Sequence, residues 1–543
     1  MAKQQDNVEI KETLYDTVII GGGIAGLTAA YMLRDKNILV LESEERFGGR
    51  VWSEKVHEAT NNIGTQFFEV EDTSFHDLVK ELGVKYITHD PSDGALGFYM
   101  NNKFYPDVLN EIFTTRVKLS ALKLLSTAYR KVKIYKLGLT NPNDPRYLKL
   151  VAKTVDQLQG GYNPDLMALV NTYMRGACVA KASRTSAGMG MLLTLDIFKT
   201  GKFGFVKGGF QQITDAMVNK LDGKVMSGAS VTRVEENDGI VTIHYKKDGQ
   251  EHVIKSKSAI MGVSPEATLN IMPKLPEWKK EAFSKVAVSP FVFVSVYLKR
   301  DIPWKRIRNI LFQDTIFQGL TDQTLGTEDD KNEDNPIIYN FIISVAPDEK
   351  EAIKEFLAKS DEEILSLTLK DFKRVRQDVA DIEKYITGTK VTRFPVGEIE
   401  VSPEYILEML PELPKPVGNI HFVGDYTELR NFVDGAAYSG MRAARALGSK
   451  YVCSKEEEKQ FPKEEKCLPL RWTTIILNIL LIAGGFFLPR GYGATMSIGA
   501  GVLLALTAAF PSFLPPNKLV YKVLLGITIG FGGVIGLLAN FLG

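Results

Sequence analysis

Three glycines at fixed spacing, Gly21-x-Gly23-x-x-Gly26, followed by the acidic Glu42, carry the clearest chemistry in this sequence. Glycines so spaced let the backbone turn tightly and approach a pyrophosphate, while Ile24 and Ala25 open a helix whose N-terminus faces the phosphates. Glu42 stands where a carboxylate accepts hydrogen bonds from ribose hydroxyls and disfavours a ribose 2′-phosphate. Such a motif also arises in fortuitous glycine-rich turns, so its context decides. An apolar, β-branched strand, Leu14 to Ile20, precedes the turn. An Ala/Leu-rich helix runs from Leu27 to about Arg34, and a second strand, Asn37 to Leu41, ends at Glu42. Strand, turn, helix and strand together predict a dinucleotide-binding unit.

The remaining composition excludes more than it identifies. The 543 residues call for at least two domains. Lys+Arg 66 against Asp+Glu 65 argues against a nucleic-acid partner, which needs a basic face. Cys178, Cys453 and Cys467 form neither a disulfide framework nor a ligand spacing, and point to a reducing compartment. The six histidines include no i,i+4 pair, so no metal is expected. Residues 1–16 lack the apolar core of a secretory signal.

One sharp shift in composition follows Glu465, the last acidic residue. From Arg471 to Gly543 the only charged groups are Arg471, Arg490, Lys518 and Lys522. Three apolar runs, about 472–488, 492–514 and 519–542, are each near the ~20 residues that span a bilayer. A buried helical hairpin is the alternative, but adjacent spans without a carboxylate are rare in soluble folds. The basic residues before the first run and between the last two predict a cytoplasmic N-terminal domain on a three-helix anchor. Subtracting the tail leaves 62 basic and 65 acidic residues in 1–470, a mildly acidic domain.

Downstream of Glu42 the chain resembles the flavin-containing amine oxidase superfamily, which includes monoamine and polyamine oxidases, protoporphyrinogen oxidases and phytoene-type desaturases. The resemblance rests on separated blocks between about residues 14 and 450: Gly48-Gly49-Arg50, Asn62-Ile63-Gly64-Thr65-Gln66, Lys207-Gly208-Gly209-Phe210, Val423-Gly424-Asp425-Tyr426 and Val433-Asp434-Gly435-Ala436. It implies FAD. By that likeness Gly49 and Arg50 lie at the pyrophosphate or beside the flavin, and the backbone of Gly64, Thr65 and Gln66 lines the isoalloxazine. Val231, with Val225 as second match, contacts the adenine, although a plain core valine fits the same pattern. Gly424 and Asp425 approach the ribityl chain, and Val433 to Ala436 open a helix toward the flavin. The family often attaches flavin to a cysteine before the closing block; none lies between 178 and 453, which implies non-covalent FAD.

Two insertions, 96–203 and 266–390, separate these blocks. The first holds a basic helix, Thr114 to Lys136, with Leu122, Leu125, Tyr129 and Val132 on one face, suited either to a membrane surface or to an ordinary core. The second ends a strand at Lys299. The resemblance makes Lys299 the catalytic candidate, bonded through water to flavin N5; the alternative is a strand-end lysine facing solvent. Phe432-Val433 stand where monoamine oxidases supply a substrate tyrosine, a departure from a small-amine cage.

The expected fold class is α/β, a Rossmann-like FAD-binding domain (14–95, 204–265, 391–450) interleaved with an α+β substrate domain (96–203, 266–390). An N-terminal tail (1–13), a charged linker (451–470) and the transmembrane segment (471–543) complete it. The expected function is hydride transfer from an amine or lipophilic substrate to flavin N5, with O2 or a quinone as electron acceptor and the lipid bilayer as partner. An isoprenoid desaturase or porphyrinogen dehydrogenase, and a non-catalytic flavin-binding membrane protein, are the alternatives.

Overall fold

The run Leu14–Ile20 forms a strand whose last four residues are buried, as expected for a parallel strand covered on both faces. The structure is a computed structural model and describes residues 14–70, 73–89, 96–178, 181–198 and 203–451. Leu14–Ile20 pairs in parallel with Ile38–Leu41 on one side and Gln250–Met261 on the other. Val225–Met226 extends the sheet beyond Ile38–Leu41, and Ile420–Phe422 joins Gln250–Met261, again in parallel. The antiparallel strands Ile240–Lys247 and Ser230–Asn237 complete seven.

Helix Ile24–Met32 is buried at every position but its first, because it lies between this sheet and helix Val433–Ala446. A helix apolar all round belongs in a core. The two helices approach closely at Gly440, where a Cβ would collide with the backbone of Ala25 and Ala29.

The second sheet has the order Ile386–Ile399, Val288–Leu298, Ile337–Ser344, Gly319–Asp322, Asn309–Phe312, Leu96–Met100, Lys103–Tyr105. Period-2 alternation in Val288–Leu298 sorts its faces. Val292, Val294, Val296 and Leu298 share a core with Ile364, Leu369, Phe372 and Val375 of helix Asp361–Val375, which starts with a Ser360/Glu363 capping box. Phe293, Ser295 and Tyr297 face the other way, where Ser295 and Tyr297 meet the hairpin Ser53–Val56/Ala59–Asn62. Strand Ile386–Ile399 is continuous across residue 391, so the second sheet reaches into the segment assigned to the dinucleotide domain.

Helix Thr115–Lys136 buries Val117, Ala121, Leu124, Ala128, Val132 and Tyr135. Of its two open readings this is the core-facing one. The buried stripe is offset from the expected face: Leu122, Leu125 and Tyr129 lie only half-buried at its flank. Tyr135 draws the stripe toward its own end by donating from its hydroxyl to the Leu429 carbonyl, 3.1 Å away. Among the described residues no helix is long and apolar enough to cross a membrane. The three apolar runs of the tail lie outside the described residues.

Candidate functional site

The first strand ends in a turn that only glycine accommodates at two points. Gly21 has φ +100° and a Cβ on it would stand 2.5 Å from the Gly262 carbonyl; one on Gly26 would strike the Gly21 carbonyl. Gly23 differs, since its Cβ would meet nothing within 4 Å. That hollow lies at the N-terminus of helix Ile24–Met32, where Gly23 brings no capping side chain and the first turn holds no acid. The N–H groups of Ile24, Ala25 and Gly26 have no intrahelical acceptor, and with the positive helix end they suit a pyrophosphate.

Glu42 lies against this turn. Its Oε2 accepts from the Gly22 N–H at 2.7 Å, and its Oε1 from the Glu44 N–H at 2.9 Å and the Ser43 hydroxyl at 3.1 Å. A carboxylate offers about four acceptor positions, so room is left for a ribose hydroxyl. Its backbone carbonyl accepts from the Ala229 N–H at 2.7 Å. The chain therefore passes Glu42 just before reaching Val231, which is half-buried at a bulge between Val231 and Arg233.

Gly49 sits 3.4 Å from the Gly23 Cα, measured from where its Cβ would be, so the Arg50 segment borders the same hollow. Arg50 donates to both Asp425 oxygens at 2.8 Å and to the Gly397 carbonyl. Desolvation of its inward face disfavours the Arg50 charge, but Asp425, joined by Glu398, outweighs it and holds the guanidinium above its ordinary pKa. The Arg50 carbonyl accepts from Thr65 N–H, and Gly64 has φ +141° with no space for a Cβ beside that carbonyl. Gly64, Thr65 and Arg50 are thus one local unit.

Asp425 follows Gly424, whose φ is +147° and whose N–H donates to Ser439 Oγ at 2.9 Å. Ser439 belongs to helix Val433–Ala446, which brings Val433 and the buried Ala436 to the same end of the fold. The structure therefore joins Gly21, Gly23, Ile24, Ala25, Gly26, Glu42, Gly49, Arg50, Gly64, Thr65, Gln66, Gly424, Asp425, Val433 and Ala436 around two helix N-termini. A hollow at Gly23 on a capless helix end, a carboxylate bonded to the same turn with an acceptor position to spare, and a guanidinium segment bordering the hollow fit FAD.

Lys299 is not drawn in. It is exposed, directly after Val288–Leu298, and its N–H donates to the Tyr385 carbonyl. It lies ten residues beyond Ser289, which abuts Gly397 and hence Arg50, about 33 Å along an extended strand. Of the two readings of Lys299, the solvent-facing one matches this placement.

Two groups of residues escaped the sequence reading. Arg430, almost fully buried, pairs with Glu69 at 2.7 Å and with Asp434 at 2.8 Å in the first turn of helix Val433–Ala446. Burial raises the Asp434 pKa to about 6, with Arg430 opposing and Glu69 reinforcing the rise. The i,i+4 spacing of Arg430 and Asp434 was the available signal. The second group, Gln323, Phe205, Arg308 and Asp322, lines a cavity of about 80 Å³ together with Asn62 and Gln66 of the expected flavin-lining segment. Arg308 lies over the Phe205 ring at 4.5 Å, and burial lowers its pKa against the pull of Asp322.

Comparison with known proteins matches residues 24–448 to the family model for flavin containing amine oxidoreductase. A flavin-containing amine oxidase of Danio rerio is 24% identical over 92% of this chain and 99% of its own length. An L-amino-acid oxidase of Demansia vestigiata is 24% identical over 79% of this chain and 86% of its own. Among solved structures, a putrescine oxidase bound to putrescine superposes with a TM-score of 0.63 at 20% identity, over 80% of this chain and 99% of the other. Cyclohexylamine oxidase from Brevibacterium oxydans gives 0.63 at 19% identity over the same shares.

Proposed function

The chain belongs to the flavin-containing amine oxidoreductases, and from that premise we propose that it oxidises an amine, taking a hydride from the carbon next to nitrogen. It is a flavin-dependent oxidoreductase, and FAD is its cofactor. The observation that carries the reading is the convergence of the Gly23 hollow, the Arg50–Asp425 pair and the start of helix Val433–Ala446 on one end of the fold.

When bound, FAD supplies the hydride acceptor. The rest falls to the chain. The N–H groups of Ile24 to Gly26 would hold the pyrophosphate, Glu42 would accept from a ribose hydroxyl, and Arg50, oriented by Asp425, would turn its accessible side to the cofactor. Helix Val433–Ala446 would add the positive end of its dipole there, with its Asp434 and Gly435 N–H groups already donated to the Asp434 carboxylate. The cavity lined by Asn62, Gln66 and Gln323 also carries Lys207, Arg308, Asp322, Glu328 and Asp329, so it offers polar partners of both signs to an amine whose nitrogen lone pair becomes the C=N bond as hydride leaves carbon. Ile87, Phe205 and Val206 supply its apolar lining.

The absence of cysteine between 178 and 453 supports non-covalent attachment, the carboxylate-free tail supports membrane anchoring, and the basic residues before its first apolar run and between its last two support a flavoprotein on the cytoplasmic side. Oxygen is the proposed acceptor of the electrons. The test is an anaerobic titration of the purified, FAD-loaded full chain, first with amines and then with lipid extract. Bleaching of the flavin bands by an amine is expected. Bleaching by lipid extract alone would move the assignment to a desaturase, and bleaching by neither would remove the catalytic reading.

A further inference from the structure

Asn62 opens the segment that leads to Gly64, and its hydrogen bonds reach far beyond it. Its side-chain nitrogen donates to Gln323 Oε1 at 3.1 Å, Gln323 Nε2 donates to Gln66 Oε1, and Gln66 Nε2 donates back to the Asn62 carbonyl at 2.9 Å. These three amides close a ring. Beside it lies a second one. Asn340 Nδ2 donates to Asn61 Oδ1 at 2.8 Å, Asn61 Nδ2 to Ser295 Oγ at 3.1 Å, and the Ser295 hydroxyl to Asn340 Oδ1 at 2.7 Å. Asn340 Nδ2 also donates to the Asn62 carbonyl at 2.8 Å, which joins the two rings.

Backbone groups fix the direction of every amide. A carbonyl can only accept, so Gln66 must present its nitrogen to the Asn62 and Gly64 carbonyls, and Asn340 must present its nitrogen to Asn62. The Phe210 N–H can only donate, so Asn62 must present its oxygen there. With those three set, Gln323, Asn61 and Ser295 have one arrangement each. Reversing any amide places oxygen against oxygen. Asn61, Asn62 and Gln66 belong to the dinucleotide side, whereas Ser295 and Asn340 sit in central strands of the second sheet and Gln323 directly follows one. Asn61, Ser295 and Asn340 are essentially inaccessible to solvent.

We propose that these two rings are the device that sets the Gly64–Gln66 backbone in position between cofactor and cavity, with Asn340 and Gln323 as positioning residues. The inference rests on the FAD site assigned above. It adds that the wall facing the reacting carbon is held by neutral amides of the second sheet, so the spacing between cofactor and substrate is fixed from the substrate side.

Carboxylate variants of nearly equal volume test it. Asn340→Asp turns two donated bonds into oxygen–oxygen contacts, and Gln323→Glu does so once, toward Gln66. Ser295→Ala is the milder third variant, which opens one ring without adding charge. In the cofactor-free full chain, amide hydrogen exchange over residues 63–66 is expected to rise about tenfold or more while residues 17–20 stay protected. After FAD loading, the visible circular dichroism of bound flavin is expected to change. The rate of flavin reduction at saturating amine should fall about tenfold, with the half-saturating concentration moving less than about threefold, as loss of alignment predicts. Unchanged exchange at 63–66 in all three variants would overturn the proposal, as would a loss of protection spread evenly over both segments. A wild-type chain that binds no FAD would defeat the cofactor assignment, while the exchange measurement would still decide what the rings hold.

Discussion

Arg50 and Asp425, 375 positions apart in sequence, face each other through two parallel hydrogen bonds of 2.8 Å. The Asp425 side chain is 7% exposed and that of Arg50 43%, so the fork anchors on a buried carboxylate while its other side stays accessible. Such a pair orients charge more than it stabilises the fold.

Arg50→Lys keeps the charge and loses the planar fork. FAD affinity is expected to fall about tenfold or more, near 1.4 kcal/mol, as measured by quenching of flavin fluorescence. An unchanged dissociation constant would mean that Arg50 does not face the cofactor.

Two glycine substitutions separate cofactor space from packing space. Gly23 has φ −74°, open to any residue, and its Cβ would enter an empty hollow. Gly23→Ala should leave the cofactor-free protein within about 1 kcal/mol of wild type and weaken FAD binding. Gly440→Ala, whose Cβ meets helix backbone at both Ala25 and Ala29, should cost about 1–3 kcal/mol with or without cofactor. Denaturant titration of both variants, each with and without FAD, distinguishes the two effects. Equal losses in both would deny that Gly23 borders the cofactor.

Lys299→Met is expected to change amine-dependent flavin reduction less than about twofold, since the side chain is exposed beyond the end of its strand. Stopped-flow reduction under anaerobic conditions measures it. A loss of about tenfold would restore Lys299 as a residue acting at the flavin.

The glycine turn was legible because a tight turn, a helix start and an acid at the end of the next strand are all local. Arg50 and Gly64 were legible only through resemblance. Their partners were not: no local pattern tells Arg50 that Asp425 is its counter-ion, or Asn62 that Asn340 and Gln323 complete its bonds. Those choices are made by the crossing of two sheets, where neutral amides replace the apolar contacts that periodicity detects. The offset stripe of Thr115–Lys136 has the same origin, since Tyr135 is set by its bond to Leu429 and not by the apolar count. Lys279 and Lys280 are adjacent and alike in sequence, yet Lys279 is fully buried and the Lys280 side chain is 41% exposed.

Lys279 gives the last test. Its ammonium donates to the carbonyls of Glu412, Leu413 and Lys415 at 2.8, 2.7 and 2.6 Å and lies 4.0 Å from the Phe422 ring centre, beneath the strand that leads to Asp425. Three donors meet three carbonyls. Burial lowers its pKa to about 7, with Glu412 opposing the fall and Arg442 and Lys415 adding to it. Between about pH 7 and its ordinary value of 10.5, the unfolded chain holds a proton that the folded chain has released, so this group makes stability rise with pH over that window. Lys279→Met leaves three buried carbonyls without a donor, a cost of about 2–4 kcal/mol, and abolishes the titration. The stability difference between wild type and variant should therefore be smallest below pH 7 and grow toward pH 10. Urea unfolding at pH 6, 8 and 9.5 measures it, and a difference that stays flat over that range would show that Lys279 remains charged in the fold.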